Sequence, residues 1–219
     1  MIHYYYYFAK NYNSLNYVVP SEIENWPAHG NIANGEGSNL APFVDVNHNG
    51  IYDPINGDYP NIRGDIAMYL IFNDGAGIHT ESGGEALEME FHFMFYAYAT
   101  NDYINNTTFI NLKVINRSSN VYTNFKVGQF TDGDLGNYTD DYFGCDSVKN
   151  MIYTYNGDGD DDGGFGIAPP AIGFKMLNKS MDIAGYFHSD SLGTQNDPDV
   201  STDYWGYMNA EWKSSGIPF

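Results

Sequence analysis

The run Glu88-Met-Glu-Phe-His-Phe-Met-Phe-Tyr-Ala-Tyr-Ala99 limits the folds open to this chain more than any other stretch. Successive residues of a β-strand point to opposite faces, so Met89, Phe91, Phe93 and Phe95 share one face. Glu88, Glu90, His92, Met94, Tyr96 and Tyr98 share the other, which turns aromatic toward Tyr98, so that end is expected to be covered. Other runs repeat the pattern. Ile66–Phe72 is a short apolar strand ending at the turn signal Asn73-Asp74-Gly75. Residues 107–116 and 121–130 alternate on either side of Arg117-Ser118-Ser119-Asn120, which predicts an antiparallel hairpin. In its first arm Ile110, Leu112 and Val114 oppose Asn111 and Lys113, implying one buried and one wet face. Further strands are expected at 151–155 and 171–177, and no long helix or repeat is visible; only Ser21-Glu22-Ile23-Glu24 reads as a helical turn, capped by Ser21. The expected class is all-β: an antiparallel β-sandwich, jelly-roll-like or an open barrel, with long Asp/Gly-rich loops.

Composition removes competing classes. The chain of 219 residues has 28 Asp+Glu against 9 Lys+Arg, a net charge of -19. Such a chain lacks the cations that neutralise phosphates, so no unaided nucleic-acid binding is expected, and anionic membrane surfaces are disfavoured. Its 42% hydrophobic content, with 20 Tyr and 14 Phe, excludes a disordered acidic chain. No run reaches the roughly eighteen apolar residues of a spanning helix, so no membrane insertion is expected. The single Cys145 excludes an internal disulfide framework and any CxxC metal site. Along the chain, residues 1–40 read as a Tyr/Asn-rich lead-in, 41–65 as an Asp/Asn/Gly/Pro-dense loop region, and 66–219 as the β-sandwich, truncated at its C-terminus.

The sharpest motif lies in the loop region. Asp45-Val-Asn47-His-Asn49-Gly50-Ile51-Tyr-Asp53 places side-chain oxygens at positions 1, 3, 5 and 9 around a glycine at position 6. That is the first part of an EF-hand-type calcium loop, in which position 7 offers its carbonyl, here Ile51. Asn56 stands where the bidentate Glu belongs, Asp58 is the replacement, and Pro54 prevents an exiting helix, so a loop-only calcium site is expected. The plain alternative is an Asx-turn loop without metal. Asp132, Asp134, Asp140 and Asp141, with Asp146 beyond them, form a second acidic cluster in which close like charges favour a cation. Asp158, Asp160, Asp161 and Asp162 repeat the opening of the loop pattern, but Gly166 and Pro169 stand at positions 9 and 12, so an acidic turn is the simpler reading.

Catalytic patterns are weaker. Glu88 and Glu90 on one strand face could form an acid/base pair, although alternation alone explains them. His79, Glu81 and His92 fit no zinc spacing, and Cys145 carries no nucleophile signature. No phosphate loop or dinucleotide fingerprint is present.

Several longer stretches carry a family likeness: Trp26-Pro-Ala-His29-Gly30, Ala41-Pro-Phe-Val-Asp45 through Pro54, Gly57-Asp-Tyr-Pro60, and His79-Thr-Glu-Ser-Gly-Gly84. It continues in Ile115-Asn-Arg-Ser118, Gln129-Phe-Thr-Asp132, Asp140-Asp-Tyr-Phe-Gly-Cys-Asp146 and Tyr155-Asn-Gly-Asp158. Together they resemble large secreted or cell-surface proteins of Bacteroidota that carry a C-terminal type IX secretion sorting domain. The resemblance implies an extracellular or cell-surface location for a longer parent protein, of which this chain is an interior piece without signal or sorting segments. The resulting expectation is a non-catalytic, calcium-stabilised β-domain of structural or adhesive role, with calcium as its ion and polysaccharide or other cell-surface components as partners. The alternatives are a polysaccharide-active hydrolase using Glu88, Glu90 or Asp141, and a carbohydrate-binding module stacking sugars on Trp26, Trp205 and Trp212.

Overall fold

The computed structural model describes residues 10–75, 77–187 and 197–211. The chain is all-β, with antiparallel sheets that do not close into a barrel among the described residues. It divides into two compact units, Met1–Gly77 with Ala86–Asn120, and Ile78–Glu85 with Val121–Phe219. The boundary expected between 65 and 66 does not separate them. Trp26, Ala28 and Ala41 form a core cluster on which Phe43, Tyr52, Ile62, Tyr69 and Ile71 pack, so loop region and sheet fold together.

In the first unit a two-stranded ribbon pairs β1 (Phe43–Val44) with β2 (Tyr59–Pro60). The main sheet has the order β3 (Ile66–Asn73), β4 (Met89–Ala97), β5 (Phe109–Asn116). The helical turn α1 (Ser21–Glu24) is present, but Ser21 does not cap it: its hydroxyl donates to Glu22 Oε2 at 3.1 Å, and Pro20 occupies the N-cap. The second unit holds a sheet of β6 (Asp141–Asp146), β7 (Met151–Asn156) and β10 (Ala171–Lys175), with β7 in the centre. A small ribbon, β8 (Asp160–Asp161) and β9 (Gly166–Ile167), and the helix α2 (Ser201–Tyr207) complete it. No helix among the described residues is long and apolar enough to cross a membrane.

Two expectations are corrected. The hairpin between 107–116 and 121–130 does not form, since β5 pairs instead with β4, from Met89↔Asn116 to Tyr96↔Phe109. The turn signal itself is real, because Asn116 Oδ1 accepts the Ser118 N–H at 2.9 Å, but residues 121–130 then run on without strand pairing. β4, already paired with β3 on its other edge, offers β5 a place in a three-stranded sheet with a continuous apolar face, which the lone 121–130 segment does not.

The burial of the sheet's faces is also inverted. Ile66, Met68, Leu70 and Phe72 share a face with Phe91, Phe93 and Phe95, and with Ile110, Leu112 and Val114. Ile66, Met68, Leu70, Phe72, Ile110 and Leu112 are solvent-exposed and the others half-buried, with only Met89 at the end of this face buried, whereas Glu90, His92 and Met94 on the other face of β4 are buried. Apolar alternation identifies a strand's two faces but not which one a neighbouring segment covers. Here the Trp26 cluster covers the face bearing the polar groups. Two methionines on adjacent strands test this. Met94→Ala, at 6% exposure, should cost about 2–4 kcal/mol in urea unfolding, and Met68→Ala, at 53%, under about 1 kcal/mol. Equal costs would contradict the assignment of faces.

Candidate functional site

The predicted calcium loop is the connection between β1 and β2, so the strand pairing brings its ends together. Asp58 locks that base. It is fully buried, its Oδ1 accepts the Val46 N–H at 2.8 Å, and its Oδ2 accepts the Asp53 N–H at 3.0 Å. Above it, short polar side chains catch backbone N–H groups ahead of them, as Asx residues do. Asp45 Oδ2 accepts from Gly50 at 2.8 Å, Asn47 Oδ1 from Asn49 at 3.1 Å, and Asn49 Oδ1 from Ile51 at 2.7 Å. Gly50 has φ 78, a left-handed conformation that glycine adopts freely, as the motif anticipated.

The side chains converge on Asp53. Its carboxylate accepts the amide N–H groups of Asn47 at 3.2 Å, Asn49 at 3.0 Å and Asn56 at 3.0 Å. Pro54 opens a 3₁₀ turn through Asn56, ended by Gly57 at φ 105, in place of an exiting helix. Asn56, read from sequence only as a missing ligand, therefore belongs to the cluster. His29 was not anticipated: its Nε2 accepts the Tyr52 N–H at 3.0 Å, anchoring the loop's outer side. No local pattern links His29 to a residue so far along the chain.

The two central carboxyls titrate in opposite directions. The amide of Asn56 and those of Asn49 and Asn47 hold Asp53 below the ordinary carboxylate value. Burial pushes Asp58 above it, and the neighbouring Asp53 charge adds to that rise. Asp45 and Ile51 lie in the same loop, with Asp45 tied to the backbone of Asn49 and Gly50.

The second acidic cluster separates. Asp132 and Asp134 are exposed, while Asp140 and Asp141 are half-buried and each has an Oδ1 shielded from solvent without a hydrogen-bond partner. Asp141 Oδ2 accepts the Leu135 N–H at 2.8 Å. Asp146, at the far end of β6, holds the β6–β7 turn through the Lys149 N–H at 2.9 Å. The third cluster is a folded ribbon around Asp161, which is fully buried and accepts from Asn137 at 3.0 Å and Phe165 at 2.6 Å. Gly136 and Gly164 form a cradle for this carboxylate, and a Cβ on either would fall on its oxygens. Sequence reading did not single out Asp161, because within the chain it is one of three adjacent aspartates.

The Glu88–Glu90 pair is not assembled. Glu88 precedes β4 with φ 56 and is exposed, whereas Glu90 lies in a buried chain of side chains. The Tyr69 hydroxyl lies 2.9 Å from His92 Nδ1, His92 Nε2 lies 2.6 Å from Glu90 Oε1, and Arg117 donates to both Glu90 oxygens at 2.6 and 3.1 Å. An ionised Glu90 only accepts, so Nε2 carries a proton and a neutral His92 takes the Tyr69 hydroxyl proton on Nδ1. Burial pushes the Glu90 carboxyl upward, but the hydrogen bonds from Arg117 and His92 and the charge of Arg117 outweigh it and hold Glu90 below its ordinary value. Both ring nitrogens of His92 are thus engaged within the first unit. No three His, Cys, Asp or Glu side chains gather as a metal group among the described residues.

Trp26 is no sugar platform: it is buried, donates to the Pro42 carbonyl at 2.9 Å and packs 5.4 Å from the Tyr69 ring. Trp205 is half-exposed beneath Lys126, and Trp212 lies outside the described residues. No family model matches the chain, and no curated protein or solved structure matches it.

Proposed function

We propose that this chain is a non-catalytic, calcium-stabilised β-domain of an extracellular or cell-surface protein, with a structural or adhesive role. The observation that carries the reading is the convergence of Asn47, Asn49 and Asn56 on the Asp53 carboxylate, within a loop closed by buried Asp58. Rotating the three amides exchanges their N–H groups for oxygens, at the cost of the bonds that Asn47 and Asn49 accept from the backbone of Asn49 and Ile51, and turns the hydrogen-bonded cluster into an oxygen cage for a hard cation. Asp45, the Ile51 carbonyl and Asp58 stand in the same loop to complete it. Asp140 and Asp141, with their unpaired buried oxygens, are the second place where a cation would relieve unmet hydrogen bonding; exposed Asp132 and Asp134 would have to fold inward to join them.

The resemblance to secreted Bacteroidota proteins supports a location where calcium is millimolar and weak sites, with dissociation constants of roughly 10⁻⁴–10⁻³ M, still fill. Cell-surface polysaccharide is the partner class this reading favours.

Thermal unfolding tests the calcium claim. Calcium at roughly ten to a hundred times such a dissociation constant stabilises the folded state by about 1.4–2.7 kcal/mol, or roughly 3–10 °C for a chain of this size. Asp53→Ala should remove most of the gain. The gain should also shrink as pH falls toward about 4, where Asp58, raised by burial, protonates ahead of Asp53. An identical melting temperature in calcium and in excess chelator would end the proposal.

A further inference from the structure

We propose that the first unit binds a small hydroxylated organic anion, of the sugar-acid type, in a cavity on the covered face of the β3–β4–β5 sheet. The proposal does not depend on calcium. The sheet register sets out the floor. Lys113 lies directly across from His92, and Met94 lies between Tyr69 on one side and Asn111 on the other. The Trp26 cluster packs on Tyr69 and Ile71, over the β3 side. Toward β5 it leaves a cavity of about 280 Å³, whose lining includes Arg63, Lys113, Asn61, Asn111, Tyr69 and His92.

Charge makes this cavity unusual. Carboxylates outnumber cations by 28 to 9 in the chain, yet two of the cations line the cavity and no Asp or Glu does. Neither the Arg63 nor the Lys113 side chain has a hydrogen bond or ion pair among the described residues. The nearest anion in the hydrogen-bond chain, Glu90, reaches the cavity only through His92, and Arg117 grips both of its oxygens. The Glu90–Arg117 pair is neutral as a unit, so the positive potential of Arg63 and Lys113 is not cancelled from below.

The neutral groups narrow the ligand further. The side chains of Asn61 and Asn111 are also without hydrogen-bond partners among the described residues. Each amide offers both donors and an acceptor, the combination that reads hydroxyls. A guanidinium and an ammonium take the anionic group, two amides take hydroxyls, and the Tyr69 ring supplies an apolar wall. The volume is slightly below the roughly 300–1,000 Å³ of drug-sized sites, which suits a single ring.

Calorimetric titration of the folded chain with D-glucuronate, D-glucose and inorganic phosphate tests this. Glucuronate should bind saturably at about millimolar affinity. It should bind more tightly than glucose, which lacks the anion, and than phosphate, which lacks the ring hydroxyls. Arg63→Gln and Lys113→Gln should each weaken it roughly tenfold with the melting temperature unchanged, since both residues are exposed and unpaired. Raising the salt several-fold should weaken it too. The proposal is overturned if glucuronate does not bind, if glucose or phosphate binds as tightly, or if the Arg63→Gln, Lys113→Gln double variant binds like the parent. Repeating the titration in excess chelator keeps this result separate from the calcium reading.

Discussion

Arg117→Ala should destabilise the first unit by about 2–4 kcal/mol at neutral pH, measured by urea unfolding. Removing one partner of a buried ion pair leaves an uncompensated charge and typically costs about 3–5 kcal/mol. The side chains are unequally buried, Glu90 at 10% exposure and Arg117 at 40%, which brings the figure down. His92 remains to donate one bond but supplies no permanent charge. The dependence on pH separates this cause from lost packing. Glu90 titrates below its ordinary value in the folded chain, so its stabilisation is present above the unfolded value of about 4.3 and lost as pH falls through the folded one. In Arg117→Ala the upward push of burial loses its main opponent, and that contribution disappears. The parent should therefore lose stability in acid more steeply than the variant, and the two should approach each other as pH falls through the lowered Glu90 value. Glu90→Gln, which leaves only a part-exposed cation unpaired, should cost less than Arg117→Ala. A pH-independent difference between parent and Arg117→Ala would mean that packing, not the ion pair, carries the effect.

Gly136→Ala should be comparably damaging in the second unit, by more than about 2 kcal/mol. The residue has φ 61, which non-glycine residues adopt at a cost, and its new Cβ would collide with the Asp161 carboxylate. Asp161→Ala attacks the same contact from the other side and frees the N–H groups of Asn137 and Phe165. Each amide left without its acceptor costs about 1–3 kcal/mol to the extent that water cannot reach it. Asp161→Asn keeps the shape and should be milder. Asp158→Ala removes only an exposed turn bond, from the Asp160 N–H at 2.8 Å, and should be milder still. Urea unfolding of the four variants should rank them in that order. Equal midpoints for Asp161→Ala and Asp158→Ala would show that the buried carboxylate does not hold the ribbon to the 135–137 loop.

Both predictions concern carboxylates that local patterns do not distinguish from their neighbours. Glu90 looks like Glu88, and Asp161 like Asp160 or Asp162. The difference in each pair comes from groups distant in sequence: Arg117 for Glu90, and Gly136 with Asn137 for Asp161. The Asp45–Asp58 loop was far more legible because its Asx bonds span only a few residues, so type and spacing determine them. Within it, the role of Asn56 in binding Asp53 also lay within reach of the spacing.

β6 was missed as a strand because Asp-Tyr-Phe-Gly-Cys-Asp carries carboxylates at both ends and a glycine within. It forms through its ladder with β7, from Asp141↔Asn156 to Asp146↔Met151. The opposite error at 121–130 has the same origin: alternation marks a segment able to pair, and only competition among strands decides whether it does.

By itself, then, the sequence determined the all-β class, the positions of β3, β4, β5, β7 and β10, and the loop whose short polar side chains bind their own backbone. These follow from period-two alternation and from bonds that close within a few residues. Only the tertiary structure decided which partner β5 takes, which face of its sheet is covered, and where Arg63 and Lys113 stand without a carboxylate between them. Those outcomes depend on which distant segment gains most by burying a given surface, a quantity that no local pattern contains.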